Sequence, residues 1–182
     1  QADYLARCEL EVSRLDRMIG DVLALSRLEN TLQHAQLEQC NLNSIIEMLV
    51  EDANFIARTK SVIIDYQPTE DVMLNIDSQL IASALGNIIN NAVKYTPEHS
   101  RVEINVERKQ NILSINIADN GEGVPEAALP HLFEPFYRVA DARDRSSGGT
   151  GLGLAITQKV LQMLGGSIEV SSKKGKGSEF SF

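Results

Sequence analysis

The chain has 182 residues, 43% of them hydrophobic and 23% charged, and a formal net charge of −8. That length holds one sizeable domain plus a smaller element, and the composition is ordinary for a folded globular protein. The acidic balance argues against a nucleic-acid surface and gives no reason to expect contact with an anionic membrane, so any bound anion must be held by local geometry and a few placed cations. Cys8 and Cys40 have neither metal-ligand spacing nor a disulfide framework, and are expected to be reduced thiols of a cytosolic protein. No apolar run approaches membrane-spanning length, and no signal peptide is visible. The first residue is not Met and the last, Phe182, closes a strand-like run, as expected for a piece of a longer protein.

Residues 1 to about 33 contain no Pro and one Gly. Leu5, Cys8, Val12, Leu15, Ile19 and Val22 alternate spacings of three and four, a heptad seam that Leu25, Leu28 and Leu32 continue with a slight stagger. One such helix cannot bury its stripe alone. It is either a core helix of the domain C-terminal to it or, the preferred reading, a helix of a bundle, because Thr31 to Asn41 is polar and linker-like. Leu42, Ile45, Ile46, Leu49 and Val50 predict a helix to about Arg58. Ser61 to Tyr66 predicts a strand, and Val72 to Ile76 a second, short one. Asp77 is placed to N-cap a helix carrying Leu80, Ile81, Ala84, Leu85, Ile88, Ile89 and Ala92, which ends near Tyr95 before Pro97.

Val102 to Val106 and Leu113 to Ile117 alternate apolar and polar around a Lys109–Asn111 turn, which predicts an antiparallel hairpin. Residues 137–149 are polar, with three arginines. Leu152 to Leu164 is helical in pattern, Gly165-Gly166 closes it, and Ile168 to Ser171 and Glu179 to Phe182 are the last strands. Helices segregated from antiparallel strands predict an α+β fold: one mixed sheet with helices on one face.

Three elements carry chemistry. Asn87 and Asn91, four apart, project from one helix face, with Lys94 on the same side and Asn90 elsewhere. Amide oxygens are hard neutral ligands suited to Mg²⁺, and a lysine supplies a point charge for phosphate; taken alone, the same pattern is a solvated helix face. Asp119 follows an apolar strand and precedes Gly121 and Gly123. It is either the carboxylate that accepts a hydrogen bond from a base's exocyclic amine, worth about 1.5–3 kcal/mol, or the first residue of an ordinary Asp-Asn-Gly turn. In the first case the glycines let a flat base approach the backbone. Gly148, Gly149, Gly151 and Gly153 run into a helix start, where N–H groups and the helix dipole favour an anion. The loop lacks Gly-Lys-Ser/Thr and no strand leads into it, so it is neither a Walker loop nor a dinucleotide fingerprint. The stretch before it could fold over phosphates as a lid with Arg138, Arg143 and Arg145 as cations, or those arginines are ordinary solvated charge. Phe133 and Phe136 are expected to pack in the core, with Tyr137 beside them at the base of the lid.

In this order and spacing, these residues resemble the histidine kinases of bacterial two-component signalling, within the wider gyrase, Hsp90 and MutL type of ATP-binding fold. Asn87–Tyr95 is similar to the N box, Asp119–Val124 to the G1 box, Leu132–Arg138 to the F box, Gly149–Leu154 to the G2 box and Lys174–Phe180 to the last glycine motif. Arg14–Glu29 resembles the second helix of the dimerisation and phosphotransfer domain, and Asp141–Gly151 resembles sensors of the Cpx envelope-stress type. The resemblance implies a two-layer α/β sandwich of the Bergerat kind over 37–182, preceded at 1–36 by a helix of a dimeric four-helix bundle. It implies ATP and Mg²⁺ as ligands, with Asn91 and Asn87 on the metal, Lys94 on phosphate, Tyr95 on the base or ribose side and Asp119 on the adenine amine. Gly149, Thr150, Gly151, Leu152 and Gly153 would wrap the triphosphate. Gly121, Gly123, Val124, Arg138, Arg145, Leu154 and Ser178 complete the expected nucleotide-binding set. It also implies a cytoplasmic portion of a bacterial inner-membrane protein, a homodimeric parent and a response regulator as partner, with no membrane contact by these residues.

Two departures bear on mechanism. ATPases of this fold carry a water-activating Glu at the position matching Asn87, and Asn cannot act as a general base, which favours holding ATP for transfer over hydrolysis. The phosphoacceptor motif, a His in a His-Glu/Asp-x-x-Thr/Asn-Pro setting, is matched by none of His34, His99 and His131. The acceptor helix is expected to precede Gln1.

Overall fold

The computed structural model describes residues 12, 15, 19, 20, 23, 36–68, 70–110, 112–139 and 149–182. Most of the first predicted helix therefore lies outside the described residues. Val12, Leu15, Ile19, Gly20 and Leu23 are helical, and the four apolar ones are exposed. Among the described residues no helix is long and apolar enough to cross a membrane.

Strand β1 (Glu38–Asn41) leads into helix α1 (Leu42–Thr59). Asn41 caps that helix by accepting from the Asn43 N–H at 2.9 Å, and its own amide donates to Asp71 at 3.0 Å. Leu42, Ile46, Ala53 and Ala57 are the buried stripe. Ser61 has φ 53° in the left-handed region and breaks the chain after α1, so strand β2 is Ile63–Tyr66 and starts two residues later than the expected Ser61. Strand β3 (Met73–Ile76) precedes helix α2 (Ser78–Tyr95), where Asp77 accepts from both Gln79 and Leu80 N–H at 3.1 Å, as its position predicted. Strands β4 (Arg101–Lys109) and β5 (Ile112–Asp119) form the expected hairpin. A 3₁₀ turn (Glu126–His131), helix α3 (Gly153–Met163) and the hairpin β6 (Glu169–Lys173) and β7 (Gly177–Ser181) complete the chain.

The single expected sheet is two. β1 pairs antiparallel with β3 in a two-stranded sheet, so the end of the segment read as linker is a strand. The main sheet has the order β2-β4-β5-β7-β6, with β2–β4 parallel and the other pairs antiparallel. It is the mixed sheet that was expected. On β4, Val102, Ile104 and Val106 are buried while Glu103, Asn105 and Glu107 are exposed, so one face carries the core and the other meets water. Against the apolar face pack Ile46 of α1 and Leu85, Ile88, Ile89 and Val93 of α2. Ala84 of α2 packs with Leu152, Ile156 and Val160 at the start of and along α3. α2 thus lies between its two helical neighbours and ends over the sheet.

Candidate nucleotide site

The alternation of β5 explains the most unusual side chain of the site. Ile115 and Ile117 point into the core, and the period of two carries Asp119 onto the same face, where it is only 9% exposed. Its carboxylate accepts the Gly121 N–H at 2.7 Å. Burial pushes its pKa above the ordinary carboxylate range, and the N–H groups of Gly121 and Ser178 pull in the opposite direction without cancelling that rise.

Gly121 and Gly123 serve the protein as well as any ligand. A Cβ on Gly121 would lie 2.5 Å from the Asp119 carboxylate and 2.6 Å from the Tyr95 carbonyl. One on Gly123, at φ +65°, would collide with the Lys173 carbonyl. The glycines were expected to make room for a base. They first let the 121–124 loop close onto the end of α2 and the β6–β7 turn. The Val124 N–H donates to Ser172 Oγ at 2.8 Å, so this expected ligand-facing group is already engaged.

On the other side, α2 meets the loop that opens α3. Asn87 and Asn91 are half-buried and Asn90 is exposed, as the helical spacing predicted. The Asn87 amide donates to the Gly153 carbonyl at 3.3 Å. Lys94 Nζ lies 3.3 Å from where a Cβ on Gly149 would sit and 5.1 Å above the centre of the Tyr95 ring. Gly151, at φ +76°, abuts the Phe136 backbone, and its carbonyl accepts the Phe136 N–H at 2.8 Å. Phe136 is therefore not the core residue expected: it is 58% exposed at φ +66°, and its contribution is this backbone tie. Phe133 does pack against the core.

The structure thus brings Asn87, Lys94, Gly149 and Gly153 together at one end of the site, and Tyr95, Asp119, Gly121 and Ser178 at the other, with Asn91 between them on α2. Leu152 is fully buried and Leu154 packs against the core, so their side chains hold α3 in place. The Leu152 N–H donates to the Thr150 hydroxyl oxygen at 3.3 Å. Arg138 is half-buried on the 136–139 segment. Arg143, Arg145, Gly148 and the greater part of the Cpx-like run lie outside the described residues, as does His34. His99 and His131 are exposed, His131 against Glu134 at 2.7 Å, and neither joins the site.

Two contributors were not anticipated. Lys60, after α1, donates to the carbonyls of Val93, Lys94 and Thr96 at 2.9, 2.8 and 2.5 Å, closing the last turn of α2. Ser172 binds the 121–124 loop to the last hairpin. Neither belongs to a motif, and the Lys60 carbonyl partners and the Val124 N–H that meets Ser172 are brought there only by tertiary packing.

Residues 76–182 match the family described as histidine kinase-, DNA gyrase B- and HSP90-like ATPase. The chain is 33% identical over 181 residues to the sensor histidine kinase WalK of Bacillus subtilis, covering 98% of this chain and 30% of that protein. It is 32% identical to the sensor protein kinase WalK of Staphylococcus aureus over 177 residues, 96% of this chain and 42% of that protein. The chain spans well under half the length of these relatives. Full-length ShkA, solved in complex with AMPPNP, superposes with a TM-score of 0.82 at 26% identity, covering all of this chain and 38% of that one. The catalytic domain of histidine kinase ThkA gives 0.69 at 25% identity, over 81% of this chain and 93% of that one. With more than half its length inside the family match and its fold shared with these kinases, the chain belongs to the histidine kinase-, DNA gyrase B- and HSP90-like ATPase family and carries the ATP-binding domain of a sensor histidine kinase.

Proposed function

We propose that residues 37–182 bind Mg-ATP and donate its γ-phosphoryl group to a histidine outside this chain, for relay to an aspartate of a response regulator. Residues 1–36 are, in this reading, the second helix of the dimerisation and phosphotransfer unit of a homodimeric, membrane-anchored parent, with the nucleotide site on its cytoplasmic side. The supporting observation is the span of α2, whose Asn87–Lys94 face meets the Gly149–Gly153 loop while its Tyr95 end meets Asp119 and Gly121. A base at the Asp119 end and phosphates at the α3 end fit that layout, with Asp119 accepting from the adenine amine.

The donor set suits Mg²⁺. Asn87 spends its amide N–H on the Gly153 carbonyl, which leaves its oxygen as the ligand atom beside that of Asn91. Bound there, the ion would neutralise charge on the phosphates. Lys94 adds a cation, and the first N–H groups of α3 are oriented for an anion. Tyr95 flanks the base or ribose, and Arg138 adds a further cation. Transfer forms a bond from an imidazole nitrogen to the γ-phosphorus as the bridging oxygen leaves with ADP; the protein's share is positioning and charge neutralisation. An amide at position 87 offers no base for water, which favours transfer over hydrolysis. ThkA, which shares this fold, was solved with the response regulator protein TrrA, and a partner of that class is proposed here.

Calorimetric titration of the 182-residue chain with AMPPNP tests the reading. Saturable binding that strengthens with Mg²⁺ and is lost in Asn91→Ala is expected; absence of binding would leave an interaction module with a vestigial pocket.

A further inference from the structure

Asp119, Ser178 and Ser172 form one polar row across three strands: Asp119 faces Ser178 in the β5–β7 register, and Ser178 faces Ser172 in the β6–β7 register. Side chains so paired stand on one face within contact distance. Ser172 Oγ has three neighbours, the Val124 N–H at 2.8 Å, the Gly177 carbonyl at 2.8 Å and Ser178 Oγ at 2.9 Å. A serine hydroxyl has one hydrogen and two lone pairs. The Val124 N–H can only donate and the Gly177 carbonyl can only accept. Ser172 must therefore give its hydrogen to Gly177 and receive one from Val124, and its remaining lone pair receives the Ser178 hydrogen. The reverse assignment would press the Ser172 oxygen against the Gly177 carbonyl with no hydrogen between them. Ser178 is thus left with lone pairs alone for anything that enters beside Asp119.

Resting on the ATP-binding reading above, we propose that Ser172, without touching the base, is a positioning residue that sets base selectivity. It locks Ser178 as an acceptor next to the Asp119 carboxylate, so that this end of the pocket takes a purine with a 6-amino group and rejects one with a 6-oxo group. Two adjacent acceptors reward the hydrogens of an amine and repel a carbonyl oxygen. Freed from Ser172, the Ser178 hydroxyl can rotate and donate to a 6-oxo group instead.

The test is the ratio of ATP to inosine triphosphate affinity, measured by titration on the 182-residue chain. Ser172→Ala is expected to reduce that ratio about tenfold, the worth of one net hydrogen bond changing sense. Ser172→Thr, which keeps the hydroxyl, is expected to retain the ratio. Ser178→Ala removes the acceptor while leaving Ser172 bound to the loop, and it too is expected to lower the ratio; this arm holds if Ser172→Ala fails to fold. The double variant is expected to lose no more selectivity than Ser178→Ala alone, because Ser172 acts through Ser178. Equal weakening of both nucleotides in Ser172→Ala, with the ratio intact, would reduce Ser172 to a structural clamp and overturn the inference while leaving ATP binding standing. A wild-type chain that binds neither nucleotide overturns the ATP reading and this one together.

Discussion

Asp119 continues the alternation of Ile115 and Ile117 on β5, so the strand period that buries two isoleucines also buries a carboxylate. Its charge is desolvated, its pKa is raised, and the folded state therefore holds the proton more tightly than the unfolded chain does. Stability contributed by this group is accordingly greatest in acid and declines as pH rises from the unfolded value through the folded one. Asp119→Asn removes the buried charge and retains an acceptor for the Gly121 N–H. The variant is expected to melt above the wild type at pH 7, with the advantage shrinking as pH falls through the Asp119 titration; thermal scans across pH 3–8 measure it. Its nucleotide affinity is expected to drop about tenfold to a hundredfold, as for loss of a charged acceptor. A variant that is no more stable at neutral pH would mean that the carboxylate is better solvated than its burial indicates.

At the scale of elements, α2 carries both ends of the site and its last turn must be held. The final carbonyls of a helix have no intrahelical partners. Here the Lys60 ammonium takes those of Val93 and Lys94 together with that of Thr96, a cation placed where the helix dipole is negative. Lys60→Met is expected to lower the unfolding free energy by about 2 kcal/mol in urea titrations. Nucleotide affinity should fall with it, because the Tyr95 carbonyl that abuts Gly121 belongs to the same turn. An unchanged urea midpoint would show that water replaces the ammonium at no cost. The other junctions are made by backbone: Gly151 on Phe136, Gly123 on Lys173 and Gly177 on Asp119 all approach so closely that a Cβ would collide. These glycines knit loops to one another, a role that the expectation of an open phosphate and base cradle did not include.

At the scale of the molecule, the proposed donor site has, among the described residues, no histidine in hydrogen-bond contact with it. His99 and His131 are exposed, and His131 pairs with Glu134. With γ-labelled ATP, the 182-residue chain is expected to bind nucleotide without acquiring label, and to transfer label when a helical hairpin bearing an acceptor histidine is supplied in trans. Label on the chain by itself would refute the assignment of the acceptor to another segment. Val12, Leu15, Ile19 and Leu23 are helical and exposed.

Much of this architecture was readable from local chemistry. The period of two on β4 and β5, the periodic stripe of α2, the Asp77 cap and the glycine loops act over a few residues, so composition and spacing determine them. That α2 presents Asn87, Asn91 and Lys94 on one side comes from the same helical spacing. Strand β1 was hidden because Glu38–Asn41 is polar and becomes a strand only through pairing with β3. Ser61 hid the true start of β2 by adopting a left-handed conformation within a β-branched run. Lys60 was invisible because its partners are 33 to 36 residues away in the chain, and the tie of Ser172 to Val124 because it spans 48 residues. The sequence alone determined which groups could meet a nucleotide. Only the tertiary structure decided that Asp119 is buried, that the glycines are spent on close backbone contacts, and that the Ser178 hydroxyl meets Ser172 beside Asp119. Hydrogen-bond direction depends on every neighbour an atom has, and those neighbours are assembled by register and packing.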